Sequence, residues 1–281
     1  MTATAQAKIN LTLEILKKRP DGFHEIRSVV QTISLYDKLK ISAGQTLEFK
    51  CSLPEWSPAK SLVSKAVSLL KNSTRTTQGA LIEIEKEIPL SSGLGGDSSD
   101  AAAVLRGLNL LWNLQLSLRE LINLGAQLGS DVPLFLYGGT LLAEGRGEKV
   151  RPLRPMPHMS VILLFPPVPR IENKTRQLYA QLSVRDYTSG QITEGFINML
   201  QGRAAPQGGS VGLYNAFDSA GLNYFPRLKE YRQQFLEAGA ADVHLAGSGP
   251  TLFTLIRDEV KAGEIHSRLL KNGLNACLAD F

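Results

Sequence analysis

The first forty residues alternate apolar and polar side chains, as strands with one buried face do. In "AKINLTLEILKK" the apolar residues Ile9, Leu11, Leu13 and Ile15 recur at every second position, which is the period of a β-strand. The following "RPDGFHE" carries a Pro-Asp-Gly turn signal, and a second extended run, "IRSVVQTISLYDKLKIS", comes after it. The pattern predicts that strands dominate the start of the chain.

Helical spacing first appears at residues 59–72, where "AKSLVSKAVSLLKN" places its apolar residues on one stripe. "SLRELINLGAQLG" opens with Ser117 and has Glu120 three residues later, which is the pattern of a capping box. "TLLAEGRGEKVRPL" predicts a hairpin. The pattern predicts further helices near 172–183, 191–201, 225–237 and 258–271, and strands at "GALIEIEKEIPL", "ADVHLAG", "TLFTLI" and "LNACLADF".

A Pro-rich stretch at residues 152–169 is the best candidate for a boundary between two lobes, and it contains the strand-like run "SVILLF". A chain of 281 residues is long enough for two lobes of ordinary size. Because strands and helices alternate irregularly, antiparallel sheets are favoured over a doubly wound sheet. We therefore predict an α+β fold with lobes at residues 1–153 and 154–281.

The chain carries a net charge of +5, but its 31 Lys and Arg residues are scattered among 26 acidic ones and form no basic run. Nucleic acid is therefore a minor hypothesis, and the positive field suits an anionic small molecule equally well. Cys51 and Cys277 are far apart, which indicates neither a disulfide framework nor a zinc site. With no signal-like start and no run of 18 apolar residues, the sequence predicts a cytoplasmic protein that does not bind a membrane.

Residues 89–105, "PLSSGLGGDSSDAAAVL", change abruptly from a loop of Pro, Ser and Gly to strong helix formers. A helix N-terminus presents unpaired N–H groups and the positive end of the helix dipole, so the junction suits an anion. No Lys follows the glycines as in a Walker loop, and Ser98 stands where a Rossmann fingerprint needs its third Gly. The phosphate cradle would be of a third kind, and the alternative is a flexible loop with a Ser or Asp cap.

The junction resembles the ATP loop of the GHMP kinase superfamily, which includes galactokinase, homoserine kinase and mevalonate kinase. Three further stretches, "AQAKINLTLEIL", "RPDGFHEIRSVVQTISLYD" and "GSDVPLFLYGG", extend the resemblance over nearly the whole chain, together with "HLAGSGPTLFTLI" near the C-terminus. They are similar to the members that phosphorylate the 2-hydroxyl of a cytidyl diphosphate methylerythritol in non-mevalonate isoprenoid biosynthesis. The resemblance implies a ribosomal-protein-like N-terminal lobe, a ferredoxin-like C-terminal lobe, and ATP and Mg²⁺ as cofactors.

By this resemblance one continuous loop binds the ATP phosphates, and Ser98 or Ser99 touches the magnesium ion directly or through water. Asp97 departs from the pattern, since many members carry Gly there; it is either a group on the magnesium side or an outward-pointing cap. No metal ligand is assigned. The loop consists of Pro89, Leu90, Ser91, Ser92, Gly93, Leu94, Gly95, Gly96, Asp97, Ser98 and Ser99.

The resemblance also implies a catalytic pair. Asp131 takes the proton of the acceptor hydroxyl, and Lys8 keeps that carboxylate ionised and stabilises charge on the phosphoryl oxygens. From the residues alone, Asp131 is equally well a turn or helix-terminal Asp, with Val132 held extended by Pro133. Lys8 is equally well part of a polar strand face in solvent.

The acceptor pocket is implied by the segment "DGFHE". In the family this segment recognises cytosine, with an aromatic ring that stacks on the base and an imidazole that hydrogen-bonds its edge. Phe23 supplies the ring here, in place of the usual Tyr, and His24 supplies the imidazole. Tyr179 is the candidate for a second aromatic ring from the C-terminal lobe, and Asn10 for a hydrogen bond near the transferred phosphoryl. Core packing for Phe23 and a surface position for His24 remain alternatives.

The third glycine turn of the superfamily corresponds to Gly247 through Thr251, which is expected to pack against the ATP loop; a plain tight turn is the alternative. Two rival functions stay open: another kinase of the superfamily, and a catalytically silent ATP-binding sensor. "DGFHE" with "GSDVP" argues against the first rival, and retention of both Lys8 and Asp131 argues against the second. The small-molecule substrate is the expected partner, and the chain is a monomer or a homodimer.

Overall fold

The computed structural model describes residues 1–203 and 212–281. Its strands are β1 (Thr2–Asn10), β2 (Thr12–Lys18), β3 (His24–Gly44), β4 (Leu47–Cys51), β5 (Gly79–Glu85), β6 (Thr140–Gly145), β7 (Lys149–Pro152), β8 (Ser160–Leu164), β9 (Tyr214–Asn215), β10 (His244–Leu245), β11 (Leu252–Ile256) and β12 (Ala276–Asp280). Its α-helices are α1 (Leu62–Thr74), α2 (Gly96–Leu111), α3 (Leu118–Leu128), α4 (Val132–Tyr137), α5 (Lys174–Gln181), α6 (Gln191–Leu200), α7 (Asp218–Tyr224), α8 (Leu228–Glu237) and α9 (Glu259–Lys271).

The first sheet is built around β3, a strand of 21 residues. β3 pairs antiparallel with β1, β2, β5 and β6, so its length lets it hold four neighbours along its two edges. β7 extends the sheet from β6, as the predicted hairpin requires. Two pairings depart from the antiparallel pattern, since β4 runs parallel to β5 and β9 runs parallel to β2.

Helices α1 to α4 cover one face of the first sheet. α2 buries Ala101, Ala102, Val104, Leu105 and Leu108, and these small and branched apolar side chains pack in one core with α1, α3 and β5. α3 begins with the predicted capping box, in which the Ser117 hydroxyl accepts from the Glu120 N–H and the Glu120 carboxylate accepts from the Ser117 N–H. This layer fixes the N-terminus of α2, where the glycine-rich loop ends.

The second sheet has the order β10-β11-β8-β12 and is antiparallel among the residues described. Helices α5, α7, α8 and α9 pack on one of its faces around Phe217, Phe235 and Leu269. The other face meets the first sheet, where Ile9 and Val29 share a buried cluster with Val161, Leu163 and Phe253. The two sheets therefore meet beside the C-terminal end of β1.

The structure supports the prediction of an α+β fold with mainly antiparallel sheets and corrects several local expectations. Val132 is not extended but begins α4, because Pro133 in a first helical turn lacks only an N–H that has no helical partner there. α2 begins at Gly96, within the predicted change from loop to helix formers. The helix predicted at 225–237 is preceded by a separate one, α7, and begins at Leu228.

The proposed boundary between residues 153 and 154 lies between the last strand of the hairpin and β8, the first strand of the second sheet. Tyr214 and Asn215 nevertheless return to pair with β2, so the later half of the chain also contributes to the first sheet. The boundary stays a proposal. No helix in the described part of the chain is both long and apolar enough to span a membrane.

Candidate active site

The glycine-rich loop between β5 and α2 is held in a conformation that needs its glycines. Gly93 and Gly95 have φ values of 91° and 77°, which L side chains rarely adopt, and Gly95 is the residue that precedes the first turn of α2. A Cβ at Gly93 would clash with the carbonyl oxygen of Ala246. The glycines thus let the chain turn directly into α2. The N–H groups of the first turn of α2 have no helical partners and are available to an anion.

The third glycine turn packs directly against this loop. Thr251 donates its N–H to the carbonyl of Ser92 at 3.2 Å, and Gly93 touches Gly249 as well as Ala246. A Cβ at Gly247 would lie 2.9 Å from the Lys8 Nζ atom. The turn therefore closes one side of the loop, as the resemblance implied, and brings the second sheet to the site.

Lys8 and Asp131 meet beside the same loop. The Lys8 Nζ atom lies 3.8 Å from Asp131 Oδ2, and the Lys8 N–H donates to the Leu94 carbonyl at 2.9 Å. The Lys8 side chain is only 7% exposed and that of Asp131 is 44% exposed. Lys8 is therefore buried rather than on a polar strand face in solvent, and Asp131 keeps contact with water at the mouth of the site.

A short hydrogen-bond chain fixes the Lys8 ammonium. Lys8 Nζ donates to Asn10 Oδ1 at 2.8 Å, and Asn10 Nδ2 donates to Ser28 Oγ at 2.8 Å. Burial lowers the pKa of Lys8, and the nearby Asp131 carboxylate partly opposes that effect. The arrangement leaves a positive charge, one exposed carboxylate and a row of backbone N–H groups around one point.

Aromatic side chains form a second cluster near Asp131. The rings of His24 and Tyr179 are stacked, with centroids 4.5 Å apart and planes 14° from parallel, and Phe217 meets Tyr179 edge-on. Burial and then the Asp131 carboxylate raise the pKa of Tyr179, so the ring lies within reach of that carboxylate's field. Burial, followed by the charge of Lys18, lowers the pKa of His24, which favours a neutral imidazole.

Phe23 lies apart from this stack. Its side chain is 51% exposed, so it is not a core residue, and the Arg146 guanidinium lies over its ring at 4.8 Å from the centroid. The exposed ring offers an aromatic surface to a planar ligand.

Asp131 thus lies between the glycine loop, through its pairing with Lys8, and the aromatic cluster, through its charge near Tyr179. Comparisons with known proteins identify the family of this chain. Residues 61–139 match the GHMP kinases N terminal domain, and residues 202–275 match the GHMP kinases C terminal domain. The 4-diphosphocytidyl-2-C-methyl-D-erythritol kinase of Dehalococcoides mccartyi is 44% identical over 99% of this chain and 97% of its own length. The chain belongs to the 4-diphosphocytidyl-2-C-methyl-D-erythritol kinase family of GHMP kinases.

More distant members of this kinase family give the same result. The Brevibacillus brevis enzyme of the same name is 38% identical over 96% of this chain and 92% of its own length. A crystal structure of a 4-(cytidine 5'-diphospho)-2C-methyl-D-erythritol kinase superimposes with a TM-score of 0.83 at 30% identity, covering 100% of this chain and 98% of the other. The predicted two-lobed GHMP kinase fold is confirmed.

The structure brings most of the predicted site residues of this family member together. Lys8, Asn10 and Asp131 converge on the glycine loop, and His24 meets Tyr179, the candidate for the second aromatic ring that the resemblance implied. Their individual roles stay predictions.

Asp97 does not face the phosphate side of the loop. Its carboxylate accepts hydrogen bonds from the Ser61 hydroxyl and from the Leu62 N–H, the latter at 3.0 Å, at the start of α1. The negative charge therefore sits at the positive end of the α1 dipole. These contacts favour the cap over the magnesium-side group. Asp97 lies in α2, but the helix that it caps is α1.

Sequence reasoning missed a buried charge cluster beneath the start of α2. Lys86 donates to Asp100 at 2.7 Å and also contacts Asp37, with all three side chains at most 1% exposed. Burial raises the pKa of Asp100 to about 8, against the opposing charge of Lys86. Asp100 belongs to the quoted motif, so its place after two serines was a signal. Asp37 ends the quoted stretch "RPDGFHEIRSVVQTISLYD" inside β3, and Lys86 directly follows β5, but no local pattern indicated that the two side chains meet. Lys174 was missed as well, since it opens α5 without any motif of its own.

Proposed function

We propose that this protein is an ATP-dependent kinase that transfers the γ-phosphoryl group to the 2-hydroxyl of 4-diphosphocytidyl-2-C-methyl-D-erythritol, in isoprenoid precursor biosynthesis. The single observation that carries the proposal is the position of Lys8 and Asp131, 3.8 Å apart, beside the glycine loop. The aromatic pair of His24 and Tyr179 supports a nucleobase on the acceptor.

The geometry suits an in-line displacement that needs positioning and charge stabilisation more than covalent chemistry. The N–H groups at the start of α2 and the Lys8 ammonium hold the polyphosphate. The substrate hydroxyl oxygen forms a bond to the γ-phosphorus while the bond from that phosphorus to the β,γ-bridging oxygen breaks. Asp131 accepts the hydroxyl proton, and ADP leaves with the electron pair of the broken bond.

Magnesium is a proposed cofactor, and the residues at the start of α2 fit it. The half-buried Ser98 hydroxyl makes no hydrogen bond to the described parts of the chain, so it is free to face the ion or one of its waters. Mg²⁺ keeps several waters and binds mainly through nucleotide phosphates, so it requires few protein ligands. When bound, it neutralises charge on the phosphate oxygens; Asp97, engaged at α1, is not among the residues that would hold it.

The acceptor pocket in this proposal lies between the two lobes, residues 1–153 and 154–281. His24 and Phe23 come from the first lobe and Tyr179 from the second, so binding of a cytosine ring requires both. Asn10 lies beside Lys8 and is placed to hydrogen-bond the acceptor near the transferred group.

An ADP-release assay with three acceptors tests the proposal. We expect turnover with 4-diphosphocytidyl-2-C-methyl-D-erythritol, dependence on ATP and Mg²⁺, and at least a hundredfold lower kcat/KM with homoserine and mevalonate, as for a pocket built to bind polar groups that those alcohols lack. Phosphorus NMR of the product would show the new phosphomonoester. Comparable turnover of homoserine or mevalonate would indicate another GHMP kinase, and ATP binding without turnover of any acceptor would indicate a sensor.

A further inference from the structure

Lys174 is a buried lysine that reaches from α5 into the corner between the two glycine segments. The residue is 8% exposed, and its Nζ atom donates to the Ser91 carbonyl at 2.9 Å and also to the Gly249 carbonyl. Ser91 belongs to the glycine loop, and Gly249 belongs to the third glycine turn. One ammonium group therefore joins two backbone segments that come from different lobes.

Further hydrogen bonds beside Lys174 join the start of α5 to the same two glycine segments. The adjacent Thr175 exchanges a hydrogen bond with Ser248 at 2.8 Å, and Arg170, just before α5, donates to the Ser91 hydroxyl at 3.1 Å. Tyr179 lies five residues after Lys174 on the same helix, stacked on His24. The start of α5 is thus tied to the phosphate loop, and its next turn carries the aromatic ring of the acceptor pocket.

The charges around Lys174 are those of an anion site. The charge of Lys8 on β1 acts on Lys174, Asp131 pairs with Lys8, and Arg170 contacts Ser91. Burial and then the positive charge of Lys8 lower the pKa of Lys174 to about 7, and no carboxylate within the described ranges is close enough to oppose them. A polyphosphate at the glycine loop would bring the missing negative charge.

We propose that Lys174 is a positioning residue that holds the glycine loop and the third glycine turn in the arrangement that binds the nucleotide polyphosphate. This inference rests on the proposed function only in taking the anion to be ATP. The two backbone carbonyls determine where the loop lies relative to Lys8, and the ammonium adds positive charge near the phosphates without touching the reacting atoms.

Equilibrium binding of a non-hydrolysable ATP analogue with Mg²⁺ tests the proposal without any acceptor. We expect Lys174→Met to weaken binding by about 10- to 100-fold, the size typical of a misplaced site, because the two carbonyls lose their donor and the loop shifts. Lys174→Arg keeps donors for both carbonyls and should recover most of the affinity. Lys229→Met, at an exposed position on α8, is the matched control and should bind like wild type.

Dissociation constants measured at several pH values provide a second test, which does not require Lys174→Met to fold. Because the anion favours charged Lys174, wild-type affinity should fall as pH rises above 7, by about tenfold for each unit by which the anion raises the pKa of Lys174. Arg stays charged, so the ratio of wild-type to Lys174→Arg dissociation constants should grow with pH, whereas Lys8 and the nucleotide titrate in both proteins and cancel.

The proposal would be overturned by Lys174→Met binding within twofold of wild type, or by a constant ratio of wild-type to Lys174→Arg affinity between pH 6 and pH 9. A lower melting temperature with unchanged affinity would also overturn it, because it would indicate a purely structural role. Failure of the proposed function is separate, since it would appear as absent turnover of the cytidyl substrate by a wild-type protein that still binds the nucleotide.

Discussion

Replacement of Asp131 by Asn tests the chemistry assigned to the cleft, because it removes the base and keeps the shape. An amide cannot accept the hydroxyl proton, so we expect kcat to fall by roughly 10²- to 10⁴-fold, the usual contribution of a general base. Nucleotide binding should change little, because the glycine loop keeps its contacts with Lys8 and the third glycine turn.

The structure also predicts how much stability this substitution costs. At 3.8 Å the attraction between Lys8 and Asp131 would amount to about 4 kcal/mol in a medium of effective dielectric constant near 20. Asp131 is 44% exposed, so solvent screens the pair and the net loss should be about 1 kcal/mol or less. Lys8 keeps its hydrogen bond to Asn10, and the melting temperature should fall by only a few degrees.

Steady-state kinetics and thermal melts of Asp131→Asn should be compared with those of Asp280→Asn, an exposed control at the end of β12. We also expect the double variant with Lys8→Met to be little slower than the worse single variant, since residues that act as a unit are not additive. A kcat within a few-fold of wild type for folded Asp131→Asn would refute the assignment of the base.

Three further predictions concern residues around the cleft. Tyr179→Ala should raise KM for the cytidyl substrate roughly 5- to 150-fold, as expected for the loss of about 1–3 kcal/mol of base stacking, while KM for ATP stays within twofold in the same kinetic assay. Asp97→Asn should lower the free energy of unfolding by about 1 kcal/mol in denaturant titrations because it weakens the cap of α1; a loss of Mg²⁺-dependent activity at unchanged stability would contradict the contacts seen here. The pKa of Asp100 is raised to about 8 in the folded protein, above its unfolded value near 4, so its contribution to stability is complete below pH 4 and is lost as the pH rises towards 8. Asp100→Asn should therefore flatten the decline of melting temperature with pH. Equal slopes for the variant and the wild type would show that Asp100 is not the source of the decline.

The cofactor loop and the elements around it could be predicted from the sequence because their signals are local. The alternation of Ile9 and Leu11, the capping box at Ser117 and the change from glycine to alanine before α2 all reflect interactions within a few residues. Local signals failed at Val132, where the preference for an extended residue before proline gave way to a short buried helix.

The partners of the charged side chains were decided by tertiary structure alone. The register of β1 on β3, together with the packing of α4 against the glycine loop, brings Lys8 to Asp131, while the meeting of the two sheets brings Tyr179 to His24. The packing of the two lobes also buries Lys174. Local patterns do not specify these pairs, because each joins residues far apart in the chain and its energy depends on burial that exists only after both lobes have folded.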